Sequence, residues 1–276
     1  MAYYSHSKLS CFEQCPFKYK LKYINKIKPE IEPIIEIHLG KSVHDSLEWM
    51  YMQVVQKKKI PTAEELIENY AKTWQENYKP EIVITDKKLT QKDYFNKGIG
   101  FLLNYYMQHN PFDDNTLETE KKILFNLGNN QILGFIDRLA YDKKKKEYVI
   151  HDYKTSGSLP SREKIDNDRQ LSLYSLAIQE LFGEKTKCLL VWHYLNFNKQ
   201  IFVRRSNKEL EKLKQDILGL IQKIESTTKF PTNKKTLCNW CEYKNMCPAF
   251  GGEPPSKKQK QKTLNNYPTV KKYLRG

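Results

Sequence analysis

Around residue 115 the chain changes its periodicity, and that change limits it to folds in which a helical segment precedes a sheet. Ser7 to Ile24 reads as a helix, capped by Ser5 or Ser7, with Leu9, Phe12, Phe17 and Leu21 on an apolar face. Pro16 should break or kink it. Residues 26–38 contain Pro29 and Pro33 and read as a loop. Helices are expected from Gly40 to Gln56, after Pro61 with Thr62 and Glu65 at capping-box spacing, and from Leu89 to Gln108. Then Leu117–Leu127, Gln131–Tyr141 and Glu147–Lys154 carry strand-like composition. Gly128-Asn129-Asn130 and Asp142–Lys146 suit the turns between them. A helix over Asp166–Phe182, strands Lys187–Asn196 and Lys199–Arg205, and a helix from Asn207 to Ser226 complete the series. There is no internal repeat. The order predicts an α/β chain: a mixed sheet core flanked by helices, behind a helical N-terminal region.

A chain of 276 residues can bury a substantial core. Its 47 Lys and Arg against 32 Asp and Glu give +15, which attracts polyanions such as nucleic acid. A lysine-rich chain from an A·T-rich genome would carry the same excess. No apolar run approaches the ~20 residues of a membrane span, and Met1 to His6 offer no signal-like stretch, so a cytoplasmic, membrane-free protein is expected. Lys143–Lys146 reads as a solvated turn. Residues 251–276 hold seven basic residues and one acid and read as a mobile basic tail. Gln261, Leu264 and Tyr267 in that tail are spaced like a weak sliding-clamp-binding peptide, with Pro268 where a second aromatic is usual; an unspecific tail is the simpler reading.

The six cysteines are too few and too unevenly placed for a disulfide scaffold. Cys238, Cys241 and Cys247 form C-x2-C-x5-C, which points to metal. Three thiolates do not close a tetrahedral site or hold a full cluster, so a fourth ligand must come from elsewhere. Cys188, in a predicted strand, reads as a small buried hydrophobe.

The chemistry concentrates in Gly134-Phe135-Ile136-Asp137-Arg138 and His151-Asp152-Tyr153-Lys154-Thr155. Adjacent strands would bring Asp137 and Asp152 together, and two facing carboxylates resist joint ionisation unless a divalent cation sits between them. Alternation along the strand puts Asp152 and Lys154 on one face and Tyr153 on the other. A lysine beside a metal-bound carboxylate can hold or deprotonate an attacking water. Asp-x-Lys alone is usually a surface ion pair; the context gives it weight. Gln170 and Tyr174, four apart, share a helical face and could contact a phosphodiester or orient Lys154, although Tyr174 could equally be core. Gly40-Lys41-Ser42-Val43-His44 near a helix start could supply an imidazole ligand. Glu120, on the first predicted strand, is a weaker candidate for metal or outer contact.

In this order the pieces resemble the RecB-like PD-(D/E)XK nuclease family, which includes AddB-type and CRISPR-adaptation nucleases. The resemblance runs from about Tyr4 to Pro248 and includes Ser7-Lys8-Leu9-Ser10 through Cys15-Pro16-Phe17-Lys18-Tyr19. It implies a restriction-endonuclease-like core. It also implies a Mg²⁺ or Mn²⁺ held by His44, Asp137, Asp152 and the Tyr153 carbonyl, with Lys154 catalytic and Gln170 and Tyr174 as the glutamine–tyrosine motif. The second acid is Asp where Glu is also common; either ligates metal. The matching position for the fourth cluster ligand is Cys15, so Cys15, Cys238, Cys241 and Cys247 would hold a [4Fe–4S] cluster that clamps the termini. Structural zinc is the rival for the cofactor, and Cys11, one turn earlier, the rival for the ligand. The implied organisation is a helical region over 1–115, a nuclease core over 116–230, a cysteine cluster over 231–250 and the tail. The implied substrate is DNA, single-stranded or with free ends, attacked as an exonuclease in repair, replication or CRISPR adaptation. No G-x-x-x-x-G-K-[ST] loop is present, so a helicase partner would be a separate chain, as would a CRISPR integrase or sliding clamp. The alternatives are a non-catalytic iron–sulfur module that binds DNA or docks a partner, and an RNA nuclease.

Overall fold

The computed structural model describes residues 3–29 and 34–253. They fall into two compact units, one of residues 3–6 and 34–220, the other of residues 7–29 and 221–253. The tail peptide with Gln261, Leu264 and Tyr267 lies outside the described residues.

The first unit is built on one six-stranded sheet. Its strands are β1 (Tyr3–Tyr4), β2 (Thr116–Leu127), β3 (Asn130–Asp142), β4 (Glu147–Lys154), β5 (Lys187–Tyr194) and β6 (Lys199–Val203). The β2–β3 and β3–β4 hairpins turn where expected, with Gly128 at φ +59°. β4 and β5 are parallel, and β6 returns antiparallel. Two parallel pairings, β1–β3 and β4–β5, among antiparallel ones make the sheet mixed, as anticipated.

β3 is the organising strand. β2 covers one of its edges from Asn130 to Ala140. The other edge is shared: β1 pairs in parallel at Gln131 and Ile132, and β4 pairs only from Asp142↔Glu147 to Arg138↔His151. Among the described residues, 133–137 therefore have no strand partner on that side. Two-residue β1 is too short to show a period, and the sequence pattern did not reveal it.

Three helices, α3 (Ile35–Lys57), α4 (Ala63–Asn77) and α5 (Gln91–His109), cover one face of the sheet. In α3, Ile35, Leu39, Val43, Leu47 and Tyr51 recur every four residues and are all buried. They meet Leu66, Tyr70 and Trp74 of α4 and Phe101, Leu102 and Tyr105 of α5, with Tyr153 of β4 beneath. Capping boxes start α4 at Thr62/Glu65 and α5 at Thr90/Asp93. α3 begins within the stretch expected to be loop. The Ile35 N–H bonds to the Val83 carbonyl at 3.0 Å, so a contact distant in sequence sets that start.

On the opposite face lies α7 (Gln170–Phe182), packed against β2, β4 and β5; α6 (Arg162–Asp166) precedes it and α8 (Asn207–Ser226) follows β6. The helix expected over Asp166–Phe182 starts later, at Gln170, and a separate short helix, α6, ends at Asp166. Asn167 ends α6, and the Asp168 carboxylate accepts the Leu171 N–H at 3.3 Å, so side chains that compete for backbone groups restart the helix. β5 stops at Tyr194, two residues short of expectation, because Leu195–Phe197 tighten into a 3₁₀ turn closed by Asn198 at φ +49°.

The second unit joins residues far apart in sequence. The helix expected over Ser7–Ile24 breaks at Pro16 into α1 (His6–Gln14), α2 (Pro16–Tyr19) and a π turn (Lys20–Ile24). Tyr19 stacks on Phe230 at 6.5 Å, and Phe12 meets Tyr19 edge-on at 5.3 Å. Phe17 N–H bonds to Pro231 O at 3.1 Å, Tyr243 OH to Ile27 O at 2.8 Å, and Lys18 pairs with Glu242 at 2.6 Å. No helix among the described residues is long and apolar enough to cross a membrane.

A polar layer is sealed between the sheet and α3–α5. Arg138, 1% exposed, donates from Nε to the Tyr153 hydroxyl (2.9 Å) and from Nη2 to the Tyr105 hydroxyl (3.3 Å) and His151 Nδ1 (2.9 Å). Its Nη1 donates to Thr116 Oγ1 (2.9 Å) and pairs with Asp114. His193 Nε2 lies 2.8 Å from His151 Nδ1. Burial, with the Arg138 charge adding to it, holds both imidazoles well below their ordinary range. Above about pH 6.5 both are neutral folded or unfolded; below it the unfolded chain takes up protons the folded form refuses. Stability measured by urea unfolding should therefore fall from pH 7 to pH 5, by up to about 1.4 kcal/mol per pH unit for each histidine. His193→Gln should flatten that slope; an unchanged slope would contradict the assignment.

Candidate active site

The site forms where β3 and β4 part. Past Arg138↔His151 the ladder stops, and the Tyr153 N–H, released from a backbone partner on β3, donates to the Asp137 carboxylate at 2.9 Å. Asp137 and Asp152 are thereby brought side by side. His44 reaches the same point from α3, where it borders the buried Val43–Leu47 stripe. Its Nε2 donates to the Tyr153 carbonyl at 2.8 Å, and its Nδ1 lies 3.4 Å from Asp137 Oδ2. Gly40 lets α3 come this close: a Cβ there would stand 3.1 Å from Thr155 Oγ1, at the end of β4.

His44, Glu120 and Asp137 place ligand atoms within 4.8 Å of one another. Glu120 falls between Thr119↔Arg138 and Lys121↔Ile136, directly opposite Asp137. Like charges facing across a pair are destabilising. Glu120 also holds φ +44°, a left-handed conformation that costs a non-glycine residue about 1–3 kcal/mol. Partial burial, then Asp137 and Glu48, pushes its carboxyl up to about 7. This geometry makes Glu120 a stronger candidate than its sequence context suggested. Its cross-strand register decides the matter, and a single sequence does not display it. The donor set of carboxylate oxygens and one imidazole fits Mg²⁺ or Mn²⁺, and a cation there would relieve the repulsion.

Asp152 is 2% exposed, and burial followed by the charge of Asp137 raises its carboxyl, against the pull of Lys154. It stands outside the close group of three. Lys154 Nζ pairs with Asp152 at 2.6 Å and donates to Gln170 Oε1 at 3.3 Å. Gln170 Nε2 donates in turn to the Tyr174 hydroxyl at 3.4 Å. Burial alone would lower Lys154, but Asp152 and Asp137 hold it above its ordinary value, so it is an ammonium at neutral pH. Tyr174 is therefore not simple core. A Cβ on Gly134 would lie 2.6 Å from its ring, which explains the glycine three residues before Asp137.

The model of the PD-(D/E)XK nuclease superfamily matches residues 3–248. The chain belongs to that superfamily. PD-(D/E)XK nucleases use divalent metal, and the chain is a metal-dependent nuclease on that membership and on the metal-ligand cluster of His44, Glu120 and Asp137. A solved protein of Eubacterium rectale, described as a candidate exonuclease, has the same fold: TM-score 0.53 and 14% identity over 87% of each chain. The protein SSO0001 is 16% identical over 85% of this chain and 94% of its own, with TM-score 0.36. No curated protein matches the sequence.

In the second unit Cys15, Cys238, Cys241 and Cys247 line one cavity of about 130 Å³, rimmed by Lys18, Lys234, Lys235 and Lys244. Cys11 is buried and does not line it; burial pushes its thiol up to about 11. The Lys235 N–H donates to Cys238 Sγ at 3.3 Å, and the same sulfur lies 3.7 Å from the Asn233 carbonyl. Cys188, half-buried on β5, has its thiol pushed up to about 12 by burial, as expected of an inert residue.

A ligand carboxylate must shed its proton, so metal binding should strengthen with rising pH until Glu120 has ionised near 7. Mn²⁺ affinity measured calorimetrically should fall up to about tenfold per pH unit below that point. Glu120→Gln should weaken binding at pH 8 and remove this step. An identical pH profile in wild type and variant would exclude Glu120 as a ligand.

Proposed function

We propose that the chain is a Mg²⁺- or Mn²⁺-dependent deoxyribonuclease of the RecB-like branch, acting as an exonuclease on single-stranded DNA or DNA ends in the cytoplasm. The observation that carries the reading is the fork itself: Asp137 receives the Tyr153 N–H beside His44, while Lys154 is held between Asp152 and Gln170. His44, Asp137, Asp152 and the Tyr153 carbonyl would hold the ion, with Glu120 alongside. The ion supplies a lowered water pKa and screening of phosphate charge. Lys154, kept charged, donates: it holds the attacking water or a phosphate oxygen and does not remove a proton. Gln170 fixes its direction, and Tyr174 fixes Gln170. The net charge of +15 favours a polyanion, and some of the 18 Tyr and 12 Phe could stack on bases. The preference for DNA ends follows from the family resemblance, in line with the exonuclease description of the Eubacterium rectale protein.

We further propose that Cys15, Cys238, Cys241 and Cys247 hold a [4Fe–4S] cluster. The cavity that all four share supports a common metal centre, and the family resemblance favours the cluster over zinc. Linking Cys15 to Cys238 closes a loop of more than 200 residues, worth about 5 kcal/mol by chain entropy. On this reading residues 1–115 form the helical region with His44, 116–230 the catalytic core, 231–250 the cluster segment and 251–276 a basic tail. A helicase, a CRISPR integrase or a sliding clamp is the kind of partner this reading implies.

End-labelled single-stranded DNA and RNA of one sequence, incubated with anaerobically purified protein and Mg²⁺ or Mn²⁺, test the activity. DNA should be shortened from an end, and Lys154→Ala should slow this by about 10²–10⁴-fold. Binding without cleavage under either metal would favour a non-catalytic module, and preferential cleavage of RNA would overturn the substrate. The same preparation should contain about four iron atoms per chain and be brown. Cys241→Ala should lose the iron and melt at lower temperature; zinc in place of iron would refute the cluster.

A further inference from the structure

We infer that Arg138 is a positioning residue for the metal-binding fork, acting through the Tyr153 side chain on the Tyr153 peptide; this rests on the nuclease reading above. A guanidinium has five N–H groups in a fixed planar array. In Arg138 each is engaged: Nε by Tyr153, Nη1 by Asp114 and Thr116, Nη2 by Tyr105 and His151. Its plane also packs over the Tyr51 ring at 4.1 Å. These partners come from α3, α5, β2 and β4, and from the segment that leads into β2. Arg138 thus ties the helix carrying His44 to the strand carrying Asp152 and Lys154, from a place one residue past Asp137.

The link to the site runs through one residue. Tyr153 points away from Asp152 and Lys154, so its phenol enters the sealed layer while its peptide groups stay at the fork. There the Arg138 Nε–H donates to its hydroxyl, and Tyr105 lies 3.3 Å from the same oxygen. At the other end the Tyr153 N–H orients Asp137, and its carbonyl accepts from His44. Past His151 no β3 backbone partner holds this peptide; its remaining strand pairing is to β5, at Tyr153↔His193. With the β3 ladder ended, the phenol anchor sets the tilt of the peptide. Lysine at 138 would keep the charge and lose the fan of directed donors.

Partners that orient a metal ligand usually account for about 10–100-fold in metal affinity. Tyr153→Phe keeps the ring and removes the anchor, and so tests the idea without emptying the core. Calorimetric Mn²⁺ titration of the full chain should show about tenfold weaker binding, and Arg138→Lys a larger loss. Excess Mn²⁺ should restore most cleavage by Tyr153→Phe. Tyr106→Phe, which removes a phenol bond to Pro61 elsewhere on α5, is the control: its melting temperature should drop comparably, with wild-type Mn²⁺ affinity. If Tyr153→Phe lowers the melting temperature and leaves Mn²⁺ affinity unchanged, Arg138 is structural only and the inference fails. If wild type binds no Mn²⁺ while His44→Ala behaves identically, the metal-dependent reading itself is what falls.

Discussion

Everything chemical in this protein depends on the place where β3 and β4 stop pairing. Two antiparallel strands bonded throughout would bury their N–H groups in the ladder and leave Asp137 beside a closed edge. Because pairing ends at Arg138↔His151, one backbone N–H becomes available to a carboxylate, and one carbonyl turns toward an imidazole. β1 occupies the far end of the same β3 edge, so the opening is bounded on both sides. Tyr174 and Gly134 then shape the open stretch by close approach.

The two faces of the sheet divide the work. Toward α7 the side chains are those of chemistry: Asp152, Lys154 and, from the helix, Gln170. Toward α3–α5 lies a sealed layer of Arg138, His151, His193 and three tyrosines, Tyr51, Tyr105 and Tyr153. A buried guanidinium is tolerable only when its donors are met and a counter-charge is near, and Asp114 supplies that charge. Alternation along β4 connects the faces, since Asp152 and Lys154 cannot point one way without Tyr153 pointing the other.

The electrostatics of the site are poised for a cation. Glu120, Asp137 and Asp152 converge with few positive partners; Glu120 and Asp152 respond by holding protons more tightly, and Lys154 by holding its charge. Such convergence lowers stability in the absence of metal, and the strained backbone of Glu120 adds to it. Strain of this kind persists where the surrounding structure over-determines it. Here the β2–β3 register on one side and α3 on the other do so.

Local chemistry made much of this legible in the residues alone. Helical spacing marked α3–α5, Pro16 marked a break, and Thr62 with Glu65 marked a helix start, because each acts within a few residues. Asp137, Asp152 and Lys154 stood out for the same reason: strand alternation over three residues puts an acid and a lysine together. What tertiary structure decided is what depends on partners distant in sequence. β1 exists only because β3 offers an edge, and α3 begins where Val83 bonds to it. Glu120 faces Asp137 only through a cross-strand register, and the Arg138 layer draws on residues from Tyr51 to His193. A short-range pattern carries a secondary structure and a motif; the position of an atom against another one hundred residues away is set by packing, which no local period encodes.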